Sequence, residues 1–247
     1  MDAHPCGRRP VGSDRTDGRA CSSTCTAVAS RWSAARVGIG APGPLDPQRG
    51  LIIHAPNMPG WVEIPLRDHI AQATGLPVVL GNDANAAALG EWRFGGGIGR
   101  RHMVYITVST GIGGGVIVDG HLVEGRYGCG GELGFMVFDP VSGALWEDMA
   151  SGTGLARAAE RVLPDHPMSL LHALSAGGNV RAQHVALAAA QGDALALALM
   201  EREAELLGLG FASIMHIFSP EIILVGGSVI TEIRSCSHGL LLGCESV

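Results

Sequence analysis

The sequence predicts an α/β fold with mixed sheets. Short runs of apolar and β-branched residues, bounded by Gly and Pro, recur from Val37 onward and are typical of strands. Segments with apolar residues at helical spacing separate several of these runs. The Asp-Gly pair at 119–120 joins two further apolar runs and indicates a β-hairpin, so antiparallel pairs should accompany parallel ones.

The elements between Val37 and residue 100 follow from local signals. "VGIGAPGPLDPQRG" predicts a short strand and a Pro/Gly loop, and "LIIHAPNMPGW" predicts a second such unit. "PLRDHIAQATG" has helical spacing and stops at Gly75. "LPVVLGND" is a short apolar run that predicts a buried strand. "ANAAALGEWRFG" predicts a helix, with Asn82 or Asp83 placed to cap it.

Beyond residue 100 a hairpin region precedes a helical region. Strands are expected at 103–108 and 115–118, and the Asp-Gly turn leads into a further strand segment at 121–124. Ser151 begins the helix start signal "SGTGLARAAERVL". The remaining elements are two Ala/Leu-rich helices, at 181–191 and 193–217, and a final strand, "EIILVGGSV".

Composition narrows the possible classes of protein. The net charge of −6, with no compensating Lys/Arg run, argues against nucleic-acid binding. No apolar run reaches about 18 residues, so no membrane span is expected. The N-terminus has no apolar signal-peptide region, and the six cysteines are scattered, with only a weak C-x3-C at Cys21 and Cys25. A cytoplasmic protein is expected.

The stretch "STGIGGG" at 109–115 places flexible backbone between two apolar runs. It is not a P-loop, because no Gly-Lys-Ser/Thr follows, and it is not a dinucleotide fingerprint, because a strand rather than a helix follows. Two interpretations stay open. The stretch is either an ordinary glycine-rich hairpin or a β-turn-β phosphate loop, in which backbone N–H groups and the Thr110 hydroxyl face an anion.

Three further motifs each allow a functional and a structural interpretation. Asp83, at a strand end, suits a general base for a sugar hydroxyl, or it merely caps its helix. Glu132, in "GGELGF", can accept hydrogen bonds from sugar hydroxyls, or it is an exposed loop charge. Gly226 and Gly227 follow a strand, where bare backbone can admit adenine, or they form a common strand-to-helix turn.

Taken in order, the motifs resemble the ROK family, which holds bacterial sugar kinases, chiefly glucokinases, and related sugar-responsive repressors. The resemblance rests on "GIGAPGPLD", "APNMPGW", "GNDANAAALGE", "STGIGGG", "GGELG", "ASGTGLARAAE" and "IILVGGSV", and it covers about residues 37–230. It implies an actin-like (ribonuclease H-like), two-lobed sugar kinase fold with the sugar and ATP in the cleft between the lobes. It also implies a homo-oligomer.

The resemblance assigns roles to individual positions. It implies that Asp83 is the catalytic base, which deprotonates the attacking hydroxyl, and that ATP is used with Mg²⁺. The implied sugar-binding positions are Asn57, Asn82, Glu132 and Glu147. The implied phosphate-loop positions are Thr110, Gly111, Gly113 and Gly114, and the implied adenosine positions are Gly226 and Gly227.

The sequence departs from the family pattern in two motifs. No counterpart of the family's opening Asp-x-Gly-x-Thr phosphate motif is recognisable, so an incomplete first lobe is expected. The zinc motif is also missing. Phe135 stands where the family has a histidine that binds zinc and contacts the sugar, and "DPVSGALWE" has no cysteine. A structural zinc ion is therefore not expected.

Four segments are predicted along the chain: an irregular N-terminal segment at 1–36, the remainder of the first lobe at 37–100, the second lobe with nucleotide-binding elements at 101–230, and an atypical C-terminal tail at 231–247. The unusual ends suggest a truncated or frame-shifted reading frame around a kinase core.

Three functions are compatible with the sequence. The first is ATP-dependent phosphorylation of a hexose, with glucose to glucose 6-phosphate preferred; a polyphosphate donor or N-acetylmannosamine stays open. The second is a catalytically impaired sugar-binding remnant, which Phe135 and the missing phosphate motif favour. The third is a transcriptional regulator, which the short, irregular segment before Val37 and the negative net charge disfavour.

Overall fold

The computed structural model describes residues 34–55, 58–125 and 128–230. The predicted α/β class with mixed sheets is confirmed. The strands are β1 (Val37–Ala41), β2 (Leu45–Asp46), β3 (Leu51–His54), β4 (Val62–Ile64), β5 (Val78–Asn82), β6 (Met103–Val108), β7 (Ile112–Val118), β8 (His121–Leu122), β9 (Val137–Asp139), β10 (Ala144–Leu145) and β11 (Ile222–Gly226). The α-helices are α1 (Leu66–Thr74), α2 (Asp83–Phe94), α3 (Trp146–Ala150), α4 (Gly152–Val162), α5 (Leu171–Leu174), α6 (Ala182–Ala190) and α7 (Ala194–Phe218).

The N-terminal half of the described chain builds two small sheets. β1 pairs in parallel with β5, and Ala41 lies opposite Asn82 at the carboxyl end of the pair. β2, β3 and β4 form an antiparallel sheet beside it. The two sheets share one apolar core, which comprises Ala41, Leu45, Ile52, Ala55 and Leu80.

A four-stranded sheet follows further along the described chain, with the strand order β11-β6-β7-β8. β11 runs parallel to β6, whereas β6–β7 and β7–β8 are antiparallel, so this sheet is mixed. Helix α2 packs over it, and its Ala88 is buried together with Met103 and Ile117. The helix therefore connects the end of β5 to this sheet.

The main core of the described chain surrounds Trp146, which is fully buried. The Trp146 ring stacks on Phe138 with ring centroids 5.7 Å apart and meets Phe211 edge-on at 5.9 Å. Its Nε1 donates a hydrogen bond of 3.0 Å to the Leu206 carbonyl, so the indole has no unpaired donor. This contact fastens α3 to α7. A second apolar cluster joins α4, α6 and α7 and comprises Leu155, Ala159, Leu171, Val180, Val185, Ala188, Ala196 and Leu199.

The predicted helix ends are confirmed because each has a local cap. α1 is followed by Gly75 in the left-handed conformation, with φ of 69°. The Ser151 hydroxyl accepts a hydrogen bond of 3.1 Å from the Gly154 amide at the start of α4. Asp193 does the same for α7, accepting 2.8 Å from the Ala196 amide. The Asp119-Gly120 turn is also as predicted, with positive φ at both residues.

Three strand predictions need correction. β7 begins at Ile112 rather than at residue 115, because Gly113 and Gly114 pair with Thr107 and Ile106 in the β6–β7 ladder. The short strand predicted at 121–124 ends at Leu122. The run "LPVVLGND" was expected to be buried, but Val79 is 65% exposed, so β5 is covered on one face.

The predictions for residues 1–33 and 231–247 lie outside the described residues, and the four segment boundaries stay predictions. In the described part of the chain, no helix has the length and apolarity needed to cross a bilayer.

Candidate active site

Asn82 and Asp83 lie at the carboxyl end of β5, where the strand passes directly into α2. Asn82 is the residue that caps the helix: its Oδ1 accepts a hydrogen bond of 3.0 Å from the Asn85 amide. Asp83 is the first helical residue and is exposed; its Oδ1 accepts 2.9 Å from the amide of Ala84. The cap is therefore provided by Asn82, and the Asp83 carboxylate remains open to solvent.

Asn82 also brings Glu132 into this site. Its Nδ2 donates a hydrogen bond of 3.3 Å to Glu132 Oε1, across 50 residues of sequence. The loop after β1 lies against the pair, because a Cβ on Gly43 would be 3.3 Å from Asn82 Nδ2 and 3.4 Å from Glu132 Oε1. A carboxylate and an amide thus share one half-buried site, a combination suited to holding hydroxyl groups.

The electrostatics of the site centre on Glu132. Burial raises the pKa of its carboxyl above the ordinary value, and the negative charges of Asp83 and Glu147 raise that pKa further. Asp83 and Glu147 therefore both lie within electrostatic reach of Glu132. Asp83, Glu132 and Glu147, which the sequence predicted for the site, are therefore brought together by the fold.

Glu147 connects this cluster to the glycine-rich hairpin. Its Oε2 accepts a hydrogen bond of 3.3 Å from the Ile112 amide at the start of β7. A Cβ on Gly111 would lie 2.6 Å from the same oxygen, so the bare backbone of Gly111 permits the approach. The carboxylate cluster and the hairpin turn accordingly form one continuous surface.

The turn itself spans Ser109 to Gly111, and the Ser109 amide donates 2.9 Å to the Gly111 carbonyl. Ser109 was not singled out from the sequence, yet it joins three elements. Its carbonyl accepts 2.8 Å from the Gly152 amide at the start of α4, and its hydroxyl accepts 3.2 Å from the Ser228 amide after β11. The Ser-Thr pair that precedes the glycines in the sequence is the signal from which Ser109 could have been identified. Thr110, beside it, is exposed.

Close packing accounts for the other predicted glycines. A Cβ on Gly113 would lie 3.1 Å from the Cβ of Ala84, and one on Gly114 would lie 2.8 Å from Leu133 Cδ1. Gly227 has φ of +105° and a Cβ there would be 2.2 Å from the Val108 carbonyl oxygen. Gly226, at the end of β11, faces the Tyr105 hydroxyl. These contacts favour a structural role for the four glycines, and their nucleotide-binding role stays a prediction.

The remaining predictions concern Asn57, Phe135 and metal ions. Asn57 lies outside the described residues. Phe135 follows Glu132 in a short 3-10 turn and is 48% exposed, so an apolar ring takes the place of a hydrogen-bonding side chain. Among residues 34–55, 58–125 and 128–230, no group of three His, Cys, Asp or Glu side chains is arranged to hold a metal ion. Mg²⁺ needs no such cage, because it usually binds through substrate phosphates and one or two carboxylates.

Comparisons with known proteins agree with this architecture. The ROK family profile matches residues 23–236, which extends past both ends of the region covered by the sequence motifs. The actin-like, two-lobed sugar kinase fold is confirmed by solved ROK structures: a ROK family glucokinase from Streptomyces griseus, in complex with glucose and AMPPNP, superimposes with a TM-score of 0.73 at 35% identity, over 89% of this chain and 77% of that one. The chain belongs to the ROK family.

Curated relatives named glucokinases match this chain at higher identity. The chain is 40% identical to a glucokinase of Thermotoga maritima over 220 residues, which cover 85% of this chain and 69% of the relative. It is 39% identical to a glucokinase of Halalkalibacterium halodurans over 202 residues, which cover 78% of this chain and 61% of the relative. The chain thus matches about two thirds of the length of these proteins.

Proposed function

We propose that this chain transfers the γ-phosphate of ATP to a hexose, with glucose as substrate and glucose 6-phosphate as product. The proposal is supported by one arrangement of side chains. The hydrogen-bonded Asn82–Glu132 pair lies within electrostatic reach of Asp83 and Glu147, and Glu147 accepts a hydrogen bond from Ile112 directly after the Ser109–Gly111 turn. Polar groups for a sugar and exposed backbone for phosphates therefore occupy one site. Glucokinase relatives, and a neighbour solved with glucose and AMPPNP, support the same substrates.

The proposed chemistry assigns one step to each group. The exposed Asp83 carboxylate accepts the proton of the attacking hydroxyl, whose oxygen then bonds to the γ-phosphorus while the bond to the ADP oxygen breaks. Asn82, Glu132 and Glu147 hold the other sugar hydroxyls so that the attacking oxygen is aligned. The Thr110 hydroxyl and the backbone of the Ser109–Gly111 turn face the phosphates, and Mg²⁺ bound with ATP neutralises their charge.

The enzyme class predicted from the sequence, a sugar kinase, is confirmed by these relatives. The choice of glucose, the nucleotide donor and the role of Asp83 are proposals. The impaired sugar-binding remnant remains a second candidate because Phe135 offers an exposed apolar ring at a sugar-facing position of the family. Such a chain binds a hexose without turnover.

The first test is ADP release from Mg-ATP in the presence of glucose, mannose, fructose, N-acetylglucosamine or N-acetylmannosamine. We expect release with glucose that falls by at least about a thousandfold in Asp83→Asn, since a general base is removed while the shape is kept. Asp165→Asn, at an exposed aspartate in a separate turn, is the matched control and should leave the rate unchanged. Hexose-dependent thermal stabilisation without ADP release would favour the remnant instead.

A further inference from the structure

A cavity that shares no lining residue with the candidate active site lies between α3, α4, α7 and the turn that joins β9 to β10. Its volume is about 620 Å³, and its lining includes Arg157, Arg161 and Arg202. Arg157 and Arg161 are one helical turn apart on α4 and share a face, and Arg202 approaches from α7. None of the predicted site residues lines this basic cavity.

Two carboxylates, Asp139 and Asp148, line the basic cavity beside its three arginines, so one positive charge is left without a counter-charge among the lining residues. Asp148 is 3.8 Å from Arg157, which is a long ion pair. The Asp139 carboxylate is engaged by the Val141 amide at 2.9 Å and by the Ser142 hydroxyl. Within the described part of the chain, Arg161 and Arg202 form no ion pair with any carboxylate.

The neighbour of Arg202 on α7 does not neutralise it either. Glu203 is 1% exposed; burial raises the pKa of its carboxyl to about 8, and the Arg202 charge lowers that pKa only in part, so the carboxyl is mostly protonated at neutral pH. With three arginines and two aspartates in its lining, the cavity has a net positive charge of one on a chain whose net charge is −6. A positive concavity of this kind attracts anions by focusing the electrostatic field.

We propose that the basic cavity binds a small phosphate-bearing anion, either inorganic phosphate or a phosphate monoester. Guanidinium groups match phosphate oxygens in paired hydrogen bonds, and three of them from two helices can surround one phosphate group. The volume lies within the range of small-molecule sites. The proposal is independent of the proposed function, because the cavity shares no residue with the catalytic groups.

The test measures binding of inorganic phosphate, and then of glucose 6-phosphate, to the full chain by titration calorimetry and thermal shift. Sodium chloride at equal ionic strength controls for screening. We expect phosphate to stabilise the protein, and we expect the dissociation constant to rise by about tenfold or more in Arg161→Gln/Arg202→Gln. Arg49→Gln, at an exposed arginine near β3, should bind as the unaltered chain does.

Two outcomes would overturn the proposal. One is equal stabilisation by chloride, which would show nonspecific screening. The other is binding that survives in Arg161→Gln/Arg202→Gln but disappears in Thr110→Ala, which would place the anion at the hairpin turn. If the double variant does not fold, Arg161→Lys/Arg202→Lys keeps the charge but removes the paired hydrogen bonds, and should still weaken phosphate binding.

Discussion

Asn82 performs two tasks with one side chain: its oxygen caps α2 and its nitrogen positions Glu132. Because both bonds come from one amide, the start of the helix and the Glu132 carboxylate are placed together. A change at this residue is expected to affect stability and substrate binding by separate routes, which substitutions can distinguish.

Asn82→Ser is predicted to retain the cap and lose only the bond to Glu132, whereas Asn82→Ala loses both. We expect Asn82→Ala to lower the free energy of unfolding by about 1 kcal/mol relative to Asn82→Ser. Urea titration measures this difference. The KM for the hexose should rise in both variants. Equal stability of the two would show that the cap contributes nothing.

The raised pKa of Glu132 predicts that the KM for the hexose depends on pH. Its pKa is raised above the ordinary 4.5, so the ionised acceptor forms only at a higher pH than in an exposed glutamate. The KM for the hexose should therefore fall as pH rises through that shifted pKa. Initial rates across pH 4.5 to 8 measure the profile, in a range where folding is monitored in parallel.

Glu132→Gln is the control for that profile. It cannot ionise, so we expect a higher KM without the pH-dependent step. A step that persists in Glu132→Gln would assign the titration to another group.

At the scale of elements, β7 is unusual because glycines occupy the centre of a strand that a helix covers. A Cβ on Gly115 would be 2.4 Å from the Ala88 Cβ and 3.1 Å from Asn85 Oδ1. The glycines allow α2 to approach the sheet closely, and α2 carries Asp83 at its first position. The distance between helix and sheet thereby sets where the carboxylate stands.

Gly115→Ala is predicted to destabilise the fold by roughly 1–3 kcal/mol, because the added methyl group overlaps α2. Gly90→Ala is the matched control: it adds the same methyl group to α2 where nothing lies within 4 Å, and it should stabilise by about 0.5–1 kcal/mol. Thermal unfolding measures both. A neutral Gly115→Ala would mean that α2 can shift without cost.

The two kinds of element differ in how far the sequence predicted them. The ends of α1, α4 and α7 were predicted correctly because Gly75, Ser151 and Asp193 act on their own neighbours. The start of β7 was not, since glycine is a poor strand former and its place here depends on contact with α2.

In the candidate site, too, residues with a local sequence signal were predicted and a residue that depends on distant contacts was not. Asp83 and Glu132 were singled out from local sequence patterns, whereas the role of Glu147 came only from the family resemblance. Ser109 was missed because its hydroxyl's partner, Ser228, lies 119 residues away. Its contacts depend on the meeting of β6, α4 and β11, which no short segment encodes.

At the scale of the whole molecule, the long helix α7 carries a buried glutamate, Glu203, whose carboxyl group affects the stability of the fold. Glu203 is buried, and both of its carboxyl oxygens lack a hydrogen-bond partner in the described part of the chain. An unpaired buried polar group destabilises the folded state. Since the pKa is about 8 in the folded state and the ordinary value is 4.5, the folded chain binds a proton that the unfolded chain releases.

The free energy of unfolding therefore depends on pH through Glu203. The contribution of Glu203 to stability is greatest below pH 4.5, falls as pH rises towards 8, and is constant above that. Glu203→Met should therefore raise the free energy of unfolding at pH 7 by roughly 1–3 kcal/mol and flatten its dependence on pH. Denaturant titrations at several pH values measure this.

Glu201→Met, at an exposed position on the same helix, is the control and should change neither quantity. A Glu203→Met variant that is less stable at every pH would show that the carboxyl has a stabilising partner.

The buried ring of Trp146 has a practical consequence for following this protein in solution. The indole sits in the largest apolar core and immediately precedes Glu147, whose carboxylate holds the hairpin turn. Its emission should be blue-shifted in the native chain and should respond when the neighbouring carboxylate engages a hexose. Trp146 is thereby an optical probe for occupancy of the proposed hexose site. Because the chain has four tryptophans, the titration is made with the other three replaced by phenylalanine.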